Sequence, residues 1–265
     1  MIETPLSPLA VYSAKPTVRI DTQAYAKVNE LLIGMTMTEG EGGMSTLELR
    51  FSNVASDPQG GADLAFEDDA ILKLGATIAV YSGDELAPQE IFRGTITAIE
   101  AQFPELDPPE LVILAEDIFQ QARMTRRTKT HEDITISDLA GELADNLGLS
   151  PVITGFSDPI GTRQQLNESD LAFLRRLLLR YDGDLQVVGE ELHVSPRAEV
   201  RRGEVALALH SQLRSASITA DLAHQVNTVT VTGGDAIQGR RIDVSSSAAA
   251  LGPGSGQTGA DILTN

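Results

Sequence analysis

Four histidines are the first residues to consider for chemistry, because imidazole is a common metal ligand and general base near neutral pH. They are His131, His193, His210 and His224, and they are dispersed along the chain. None belongs to an HExxH motif or lies one helical turn from another, as a zinc site on a helix requires. We interpret each as a surface or hydrogen-bonded histidine, and we expect no catalytic residue, no metal and no cofactor.

Paired carboxylates could in principle hydrolyse a glycosidic bond. The adjacent pairs here are Asp68 with Asp69, and Glu190 with Glu191. A glycosidase needs two acids that face each other across a cleft. Adjacent residues in predicted loops and turns do not provide that arrangement.

A segment near the C-terminus superficially resembles a phosphate-binding loop. It reads GPGSGQT at residues 252–258. Leu251 stands where the loop needs its first glycine, and Gln257 replaces the lysine that reads the phosphates. A Gly/Ser-rich linker explains this composition better.

A local basic cluster stands out in an otherwise acidic protein. It consists of Arg123, Arg126, Arg127 and Lys129. One interpretation is a solvated loop. The other is a contact with a neighbouring subunit or partner protein that presents acidic residues.

Composition limits the partners and the compartment. The chain has 265 residues, 38 of them acidic and 20 basic, for a net charge of −18, and it has no cysteine. This charge repels the phosphates of free nucleic acid. The surplus of acidic residues either keeps the surface soluble or contacts a basic partner. No apolar run approaches the roughly 20 residues of a membrane span. Because the N-terminus has no basic signal-peptide region, we expect synthesis in the cytoplasm.

The N-terminal part of the sequence predicts a β-meander. Leu47, Leu49 and Phe51 alternate with polar residues, which is typical of a half-buried strand. Gly94 lies inside a strand-like run, where glycine marks a bulge or a close backbone approach. Residues 57–69 form a predicted loop. The predicted strands are residues 17–21, 33–38, 45–53, 76–81, 91–99 and 111–114.

The middle of the chain predicts two helices and a hairpin. Leucines recur at helical spacing in residues 135–148 and 167–183. The second helix carries a stripe of Leu171, Leu174, Leu178 and Tyr181. Residues 185–188 and 192–195 form the hairpin around a Gly189–Glu190 turn. The predicted helix ends are Thr135 or Ser137 and Gly148, then Asn167 and Gly183.

Strand patterns return after residue 200. They cover residues 205–209, 213–219, 226–232 and 238–244, with a turn at residues 233–235. Residues 245–265 are rich in Ser, Ala and Gly and predict a flexible tail.

The order of these elements resembles the late control D family of phage tail hubs, over roughly residues 17–245. Relatives of that family are the valine-glycine repeat spike proteins of type VI secretion and the hubs of extracellular contractile injection systems. The family's glycines before two strands correspond to Gly75 and Gly94. The most specific segment is a Q-x-x-E-S-D-x-x-F-L-x-R run before a hairpin, present here as Gln165, Glu168, Ser169, Asp170, Phe173, Leu174 and Arg176, followed by Tyr181, Asp182 and Gly183.

The resemblance implies a mainly β fold with an α+β insertion, in which two small β-barrels flank a two-helix α/β domain. The implied domains are a first barrel at residues 1–120, the insertion at 121–200, and a second, incomplete barrel with its tail at 201–265. It also implies a homotrimeric, non-enzymatic baseplate hub. Such a hub adapts the symmetry of a hexameric inner tube to a trimeric spike.

The implied partners are further copies of this chain, the inner tube protein, the spike protein or a spike domain, and other baseplate proteins. No nucleic acid or membrane is expected. The place of action is a phage tail-like particle that is released from the cell in some systems. The alternative is a β-rich cell-wall hydrolase or glycan-binding component of the same machinery.

Overall fold

The structure is a computed structural model. It describes residues 15–40, 43–56, 59–66, 70–84, 87–200, 226–235 and 238–246, together with positions 208–209, 215–217, 219, 221–223 and 262–263. The chain forms two compact units, Met1–Arg202 and Gly203–Asn265. Strands dominate the described residues, as the sequence predicts.

A seven-stranded antiparallel sheet is the framework of the first unit. Its strand order is β2-β1-β7-β8-β9-β4-β3, and β5 and β6 form a separate hairpin. One short helix, α1, covers part of the sheet core. The bounds are β1 Thr17–Ile20, β2 Gln23–Ala24, α1 Ala26–Leu31, β3 Leu32–Thr38, β4 Thr46–Ser52, β5 Val54–Ser56, β6 Ala62–Leu64, β7 Thr77–Asp84, β8 Ala87–Gln102 and β9 Glu110–Glu116.

The six strands predicted from alternation are all present. The apolar positions of β4, namely Leu47, Leu49 and Phe51, are fully buried, and so are Ile78 and Val80 of β7. These side chains belong to one hydrophobic core under the sheet. Alternation therefore predicted correctly which face of each strand is buried.

Two expectations for this part are corrected. No closed barrel is found among the described residues, because β2 and β3 stand at opposite ends of the strand order. The predicted loop at residues 57–69 contains a strand, β6, which pairs with β5. A three-residue strand is too short to produce a readable alternation.

Gly94 is required by a close approach of two backbones. A Cβ atom at this position would lie 2.2 Å from the carbonyl oxygen of Glu116 on β9. The ladder between β8 and β9 begins next to it, at Thr95, and shifts register between Ile96 and Ala98. The prediction of a close approach inside the strand is confirmed.

An α/β layer completes the first unit. Three helices, not the two predicted, pack with two small sheets of order β10-β12 and β11-β14-β13. The unpredicted helix α2 crosses the expected boundary at residue 120. The bounds are α2 Phe119–Met124, β10 Arg126–His131, α3 Ile136–Leu147, β11 Ser150–Ile153, β12 Arg163–Ser169, α4 Asp170–Arg180, β13 Gly183–Val188 and β14 Glu191–Pro196.

Helix α3 begins and ends where the sequence predicts. The Thr135 hydroxyl accepts the Asp138 N–H at 2.9 Å, and the Asp138 carboxylate reaches back to the Thr135 N–H, forming a capping box. Gly148 ends the helix with a φ of 68°, in the left-handed region that favours glycine. Of the two predicted caps, Thr135 is therefore the one used, and not Ser137.

Helix α4 is shorter than predicted at both ends. Ser169, not Asn167, is the N-cap, and its hydroxyl accepts the Ala172 N–H at 3.2 Å. Asn167 belongs to β12 instead. The helix ends at Arg180, and Tyr181 is a partly exposed cap residue outside the buried stripe. A positive φ of 49° at Asp182 turns the chain, so Gly183 begins β13.

The second unit contains a two-stranded antiparallel hairpin. It joins β15 Val229–Asp235 to β16 Arg240–Ser246. The predicted turn at residues 233–235 is wrong in position, because these residues continue β15. The predicted strands at 205–209 and 213–219 lie almost entirely outside the described residues.

Candidate functional site

A cleft in the first unit lies between the sheet and the α/β layer. Its volume is about 440 Å³. The N-terminal half of β8, the end of α3 and the β13–β14 turn line it. Its wall mixes apolar and charged side chains, which include Met37, Ile91, Phe92, Leu149, Val187 and Glu190.

Glu90 is the centre of a polar network in this cleft. Its Oε1 accepts Arg93 Nε at 2.8 Å, and its Oε2 accepts both Arg93 Nη2 at 2.6 Å and the Tyr81 hydroxyl at 2.9 Å. Burial opposes ionisation of Glu90, but the hydrogen bonds from Arg93 and Tyr81 outweigh it and lower the pKa of this carboxyl. Glu90 is thus an ionised, fully partnered group.

Asp117 is the second carboxyl of the cleft, and it is mostly buried. Its Oδ2 accepts the Ser45 N–H at 2.6 Å and its Oδ1 accepts the Phe119 N–H at 2.9 Å. Burial raises its pKa, although these backbone hydrogen bonds favour the charged form. Asp117 therefore ties the start of β4 to the start of α2.

The contacts of the two carboxyls do not favour a hydrolytic pair. A general acid or base needs an oxygen that can reach the substrate proton. The oxygens of Glu90 are held by Arg93 and Tyr81, and those of Asp117 by backbone N–H groups. The geometry favours a binding or packing role for the cleft over acid–base catalysis.

The N-terminal half of β8 presents an open edge. Residues 87–94 pair only with β7, because β9 begins to pair at Thr95. Within the described residues, the other edge of this half has no strand beside it. Such an edge offers N–H and C=O groups to a further strand. Sequence reasoning missed it, because the 16 residues of β8 do not reveal that its partner β9 has only seven.

The motif that carries the family resemblance forms one hydrogen-bonded network. Gln165, which is fully buried, donates through Nε2 to the Glu168 carbonyl and to Asp170 Oδ1, each at 3.0 Å. Glu168 in turn accepts two hydrogen bonds from Arg176, at 2.9 and 2.7 Å. Ser169 caps the helix. The motif residues therefore fix the β12–α4 junction.

His131 belongs to the same network. Its ring is buried, stacks on Phe173 with centroids 5.0 Å apart, and places Nε2 3.4 Å from Gln165 Oε1. Both residues line a small cavity of about 50 Å³. The prediction of a hydrogen-bonded structural histidine agrees with this placement.

The basic cluster is not a solvated loop. Arg123 lies in α2 and the other three residues lie on β10, and each is partnered within this chain. Arg123 pairs with Glu116; the remaining contacts are Arg127 Nε to Asp170 Oδ2 at 3.0 Å, Lys129 Nζ to Glu142 Oε1 at 3.1 Å, and Arg126 Nη1 to the Asn167 carbonyl at 3.3 Å. These contacts join β10 to α3, α4 and β12, and α2 to β9.

The remaining candidates do not converge on a site. His193 Nε2 lies 2.9 Å from Glu191 Oε2 on β14, while Glu190 lies in the preceding turn. His210, His224, Asp68, Asp69 and residues 252–258 lie outside the described residues. Across the described positions, no group of three His, Asp or Glu side chains could hold a metal, and no helix is long and apolar enough to cross a membrane.

Comparisons with known proteins relate this fold to phage tail proteins. No protein-family model and no curated protein matches the chain. Among solved structures, the 43 kDa tail protein of prophage MuSo2 from Shewanella oneidensis aligns with a TM-score of 0.60 and 15% identity, over 88% of this chain and 68% of that one.

Two further tail proteins align in the same way. The tail protein of Neisseria meningitidis MC58 gives a TM-score of 0.59 at 12% identity, and the prophage tail protein gp18 of Listeria monocytogenes EGD-e gives 0.55 at 14%. Each alignment covers 89% of this chain and 68% of the other. This chain shares the fold of these phage tail proteins.

Proposed function

We propose that this chain is a structural subunit of a phage tail-like injection machine, where it forms a trimeric hub between a hexameric inner tube and a spike. The observation that carries the proposal is the fold shared with tail proteins over 88–89% of the chain. The motif network at the β12–α4 junction supports the same family resemblance, because its residues occupy structural positions.

The mechanism is an adaptation of symmetry. A three-fold assembly can seat a six-fold tube if each subunit contributes two similar modules, since three pairs make a near six-fold ring. The seven-stranded sheet is the first module of this proposal, and residues 201–265 are the second; the α/β layer separates them in the sequence. Under this proposal, the second module repeats the first.

The exposed faces of the described strands support an assembled state. The β15–β16 hairpin has an apolar face of Val229, Val231, Ile242 and Val244, all of them solvent-exposed. An isolated two-stranded hairpin is marginally stable in water. Further strands over this face, from this chain or another, would stabilise it.

The alternative function is hydrolysis or binding of cell-wall glycan in the large cleft. The observation in its favour is that Glu90 and Asp117 line one cleft with pKa values shifted in opposite directions. Because hydrogen bonds already hold the oxygens of both carboxyls, we favour the hub over the hydrolase. Release of soluble fragments from purified peptidoglycan by the wild type, and its loss in Glu90→Gln, would establish the alternative.

The hub proposal is tested by the stoichiometry of the assembled protein. Native mass measurement of the purified chain with its inner tube and spike proteins, or cryo-imaging of the particle, should show three copies per particle. A stable ring of six copies of this chain would contradict the proposal, because the symmetry adaptor would then be unnecessary.

A further inference from the structure

Two exposed patches on the first unit carry opposite charges beside apolar side chains. The first patch is the loop between β8 and β9, residues 103–109, which we call the β8–β9 tip. Phe103 is 64% exposed, Leu106 is 91% exposed, and the exposed Glu105 and Asp107 flank Leu106. Within the described residues, neither carboxylate has an ion pair. Clustered apolar side chains with a polar rim mark interaction sites.

The base and the prolines of the tip hold it in place. The N–H of the buried Asn53 donates to the Pro109 carbonyl at 2.9 Å. Pro104, Pro108 and Pro109 each fix φ at about −65°. Restriction before binding lowers the conformational entropy that an interface must overcome. The tip is therefore presented as a preformed unit.

The second patch is the exposed face of helix α4. Its residues recur at the spacing i, i+3, i+4, i+7 and i+8, which places them on one side of a helix. We call them the α4 basic face: Ala172, Arg175, Arg176, Leu179 and Arg180. Arg176 pairs with Glu168, but Arg175 and Arg180 have no acidic partner among the described residues. Leu179 lies between these two arginines and is 78% exposed.

The two patches are complementary to each other. Each exposes a leucine beside two unpaired charges, acidic at the tip and basic on α4. The exposure of Leu106 and Leu179 shows that the patches do not pack on each other within one chain. A chain with a net charge of −18 repels a second copy over most of its surface. Self-association therefore requires a contact where opposite local charges meet, and these two patches provide one.

We infer that the β8–β9 tip of one copy docks on the α4 basic face of a second copy of this chain. The exposed apolar side chains of the two patches pack together, and the two free carboxylates pair with the two free arginines. The contact joins two different surfaces, so repetition of it closes a ring when the rotation between copies allows. Only the number of copies, three, rests on the proposed function.

The test measures self-association of the full chain by sedimentation equilibrium. Two charge reversals, Glu105→Lys/Asp107→Lys and Arg175→Glu/Arg180→Glu, should each raise the dissociation constant at least about tenfold, because like charges then face each other. The variant with all four substitutions restores opposite charges across the contact. It has the net charge of the wild type and should associate within about threefold of wild-type affinity.

The tip reversal also separates the local contact from overall charge. It makes the chain less acidic, so overall repulsion alone predicts tighter association, whereas the local contact predicts weaker association. Asp145→Lys/Asp158→Lys is the matched control, because it changes the net charge equally at two exposed carboxylates outside both patches. The control should associate at least as tightly as the wild type. Far-ultraviolet circular dichroism in dilute solution should give the same spectrum for every variant.

The outcomes separate the inference from the hub. Weaker association in both reversals, with recovery in the variant that combines them, supports the inference. Wild-type association in either reversal, or loss without recovery, overturns it. Absence of self-association by the wild type at about 100 μM also overturns it, and the stoichiometry of the particle still decides the hub. A dimer or a ring of six that the reversals dissociate supports the contact and contradicts the three-copy hub.

Discussion

Helix α4 offers a sharp test of which face is buried, because two leucines on one helix have opposite environments. Leu174 is 2% exposed in the core of the α/β layer, whereas Leu179, five residues later, is 78% exposed. Helix α4 packs on α2, α3 and β13 through its buried face. We compare Leu174→Ala with Leu179→Ala.

The expected cost follows from burial. Leu→Ala removes three carbons, and at about 0.8 kcal/mol per buried methylene the transfer contribution is about 2.4 kcal/mol. The cavity left behind raises the total to about 3–5 kcal/mol at a rigid site. At Leu179 almost nothing is buried, so the change should stay within about 0.5 kcal/mol.

Urea unfolding followed by far-ultraviolet circular dichroism measures both changes. The midpoint of Leu174→Ala should fall strongly with little change in slope, because the native state buries the same remaining surface. Leu174→Asp should unfold the layer, since an unpaired buried carboxylate costs several kcal/mol, comparable with the stability of a small domain. Equal losses from the two alanine variants would refute the assignment of the buried face.

Three further predictions concern backbone and charge. Gly94→Ala should destabilise the protein by about 1–3 kcal/mol, because its Cβ would meet a backbone carbonyl. Gly141→Ala, at a helical position with open space, should stabilise it by about 0.5–1 kcal/mol. Thermal unfolding measures both changes. Thr135→Ala should cost about 1 kcal/mol through loss of the capping box, with amide exchange accelerating first at the start of α3. Arg176→Ala should cost about 1 kcal/mol at neutral pH. Because hydrogen bonds from Arg176 lower the pKa of Glu168, this contribution is present above the unfolded pKa of Glu168 and is lost as the pH falls through its folded value. A pH-independent difference between Arg176→Ala and wild type would contradict the ion pair.

The strands and helices that the sequence predicted share a clear periodicity. Residues 45–53 alternate over a whole strand, and residues 135–148 combine helical spacing with a cap at each end, so local signals agree. The elements that it missed have none. Strand β11 has four residues and pairs in parallel with β14, and β10 is polar throughout. Their partners stabilise them, not their own patterns.

Polar partners were the hardest feature to predict. Asn167 and Ser169 are equally good cap residues by type, and only the pairing of β12 with β10 places Ser169 at the helix start. The basic residues on β10 read as a loop cluster because their acidic partners Asp170 and Glu142 lie 43 and 13 residues away from Arg127 and Lys129 in sequence.

The sequence alone determined the β-rich class, the buried faces of the main strands and helices, and the acidic surface, because these depend on residue type and short-range spacing. The tertiary structure decided the open order of the seven strands, the unpaired edge of β8 at residues 87–94, and the cleft with its hydrogen-bonded carboxyls. These features depend on which distant segments pair and on the difference in length between paired strands such as β8 and β9. No local sequence pattern encodes either one.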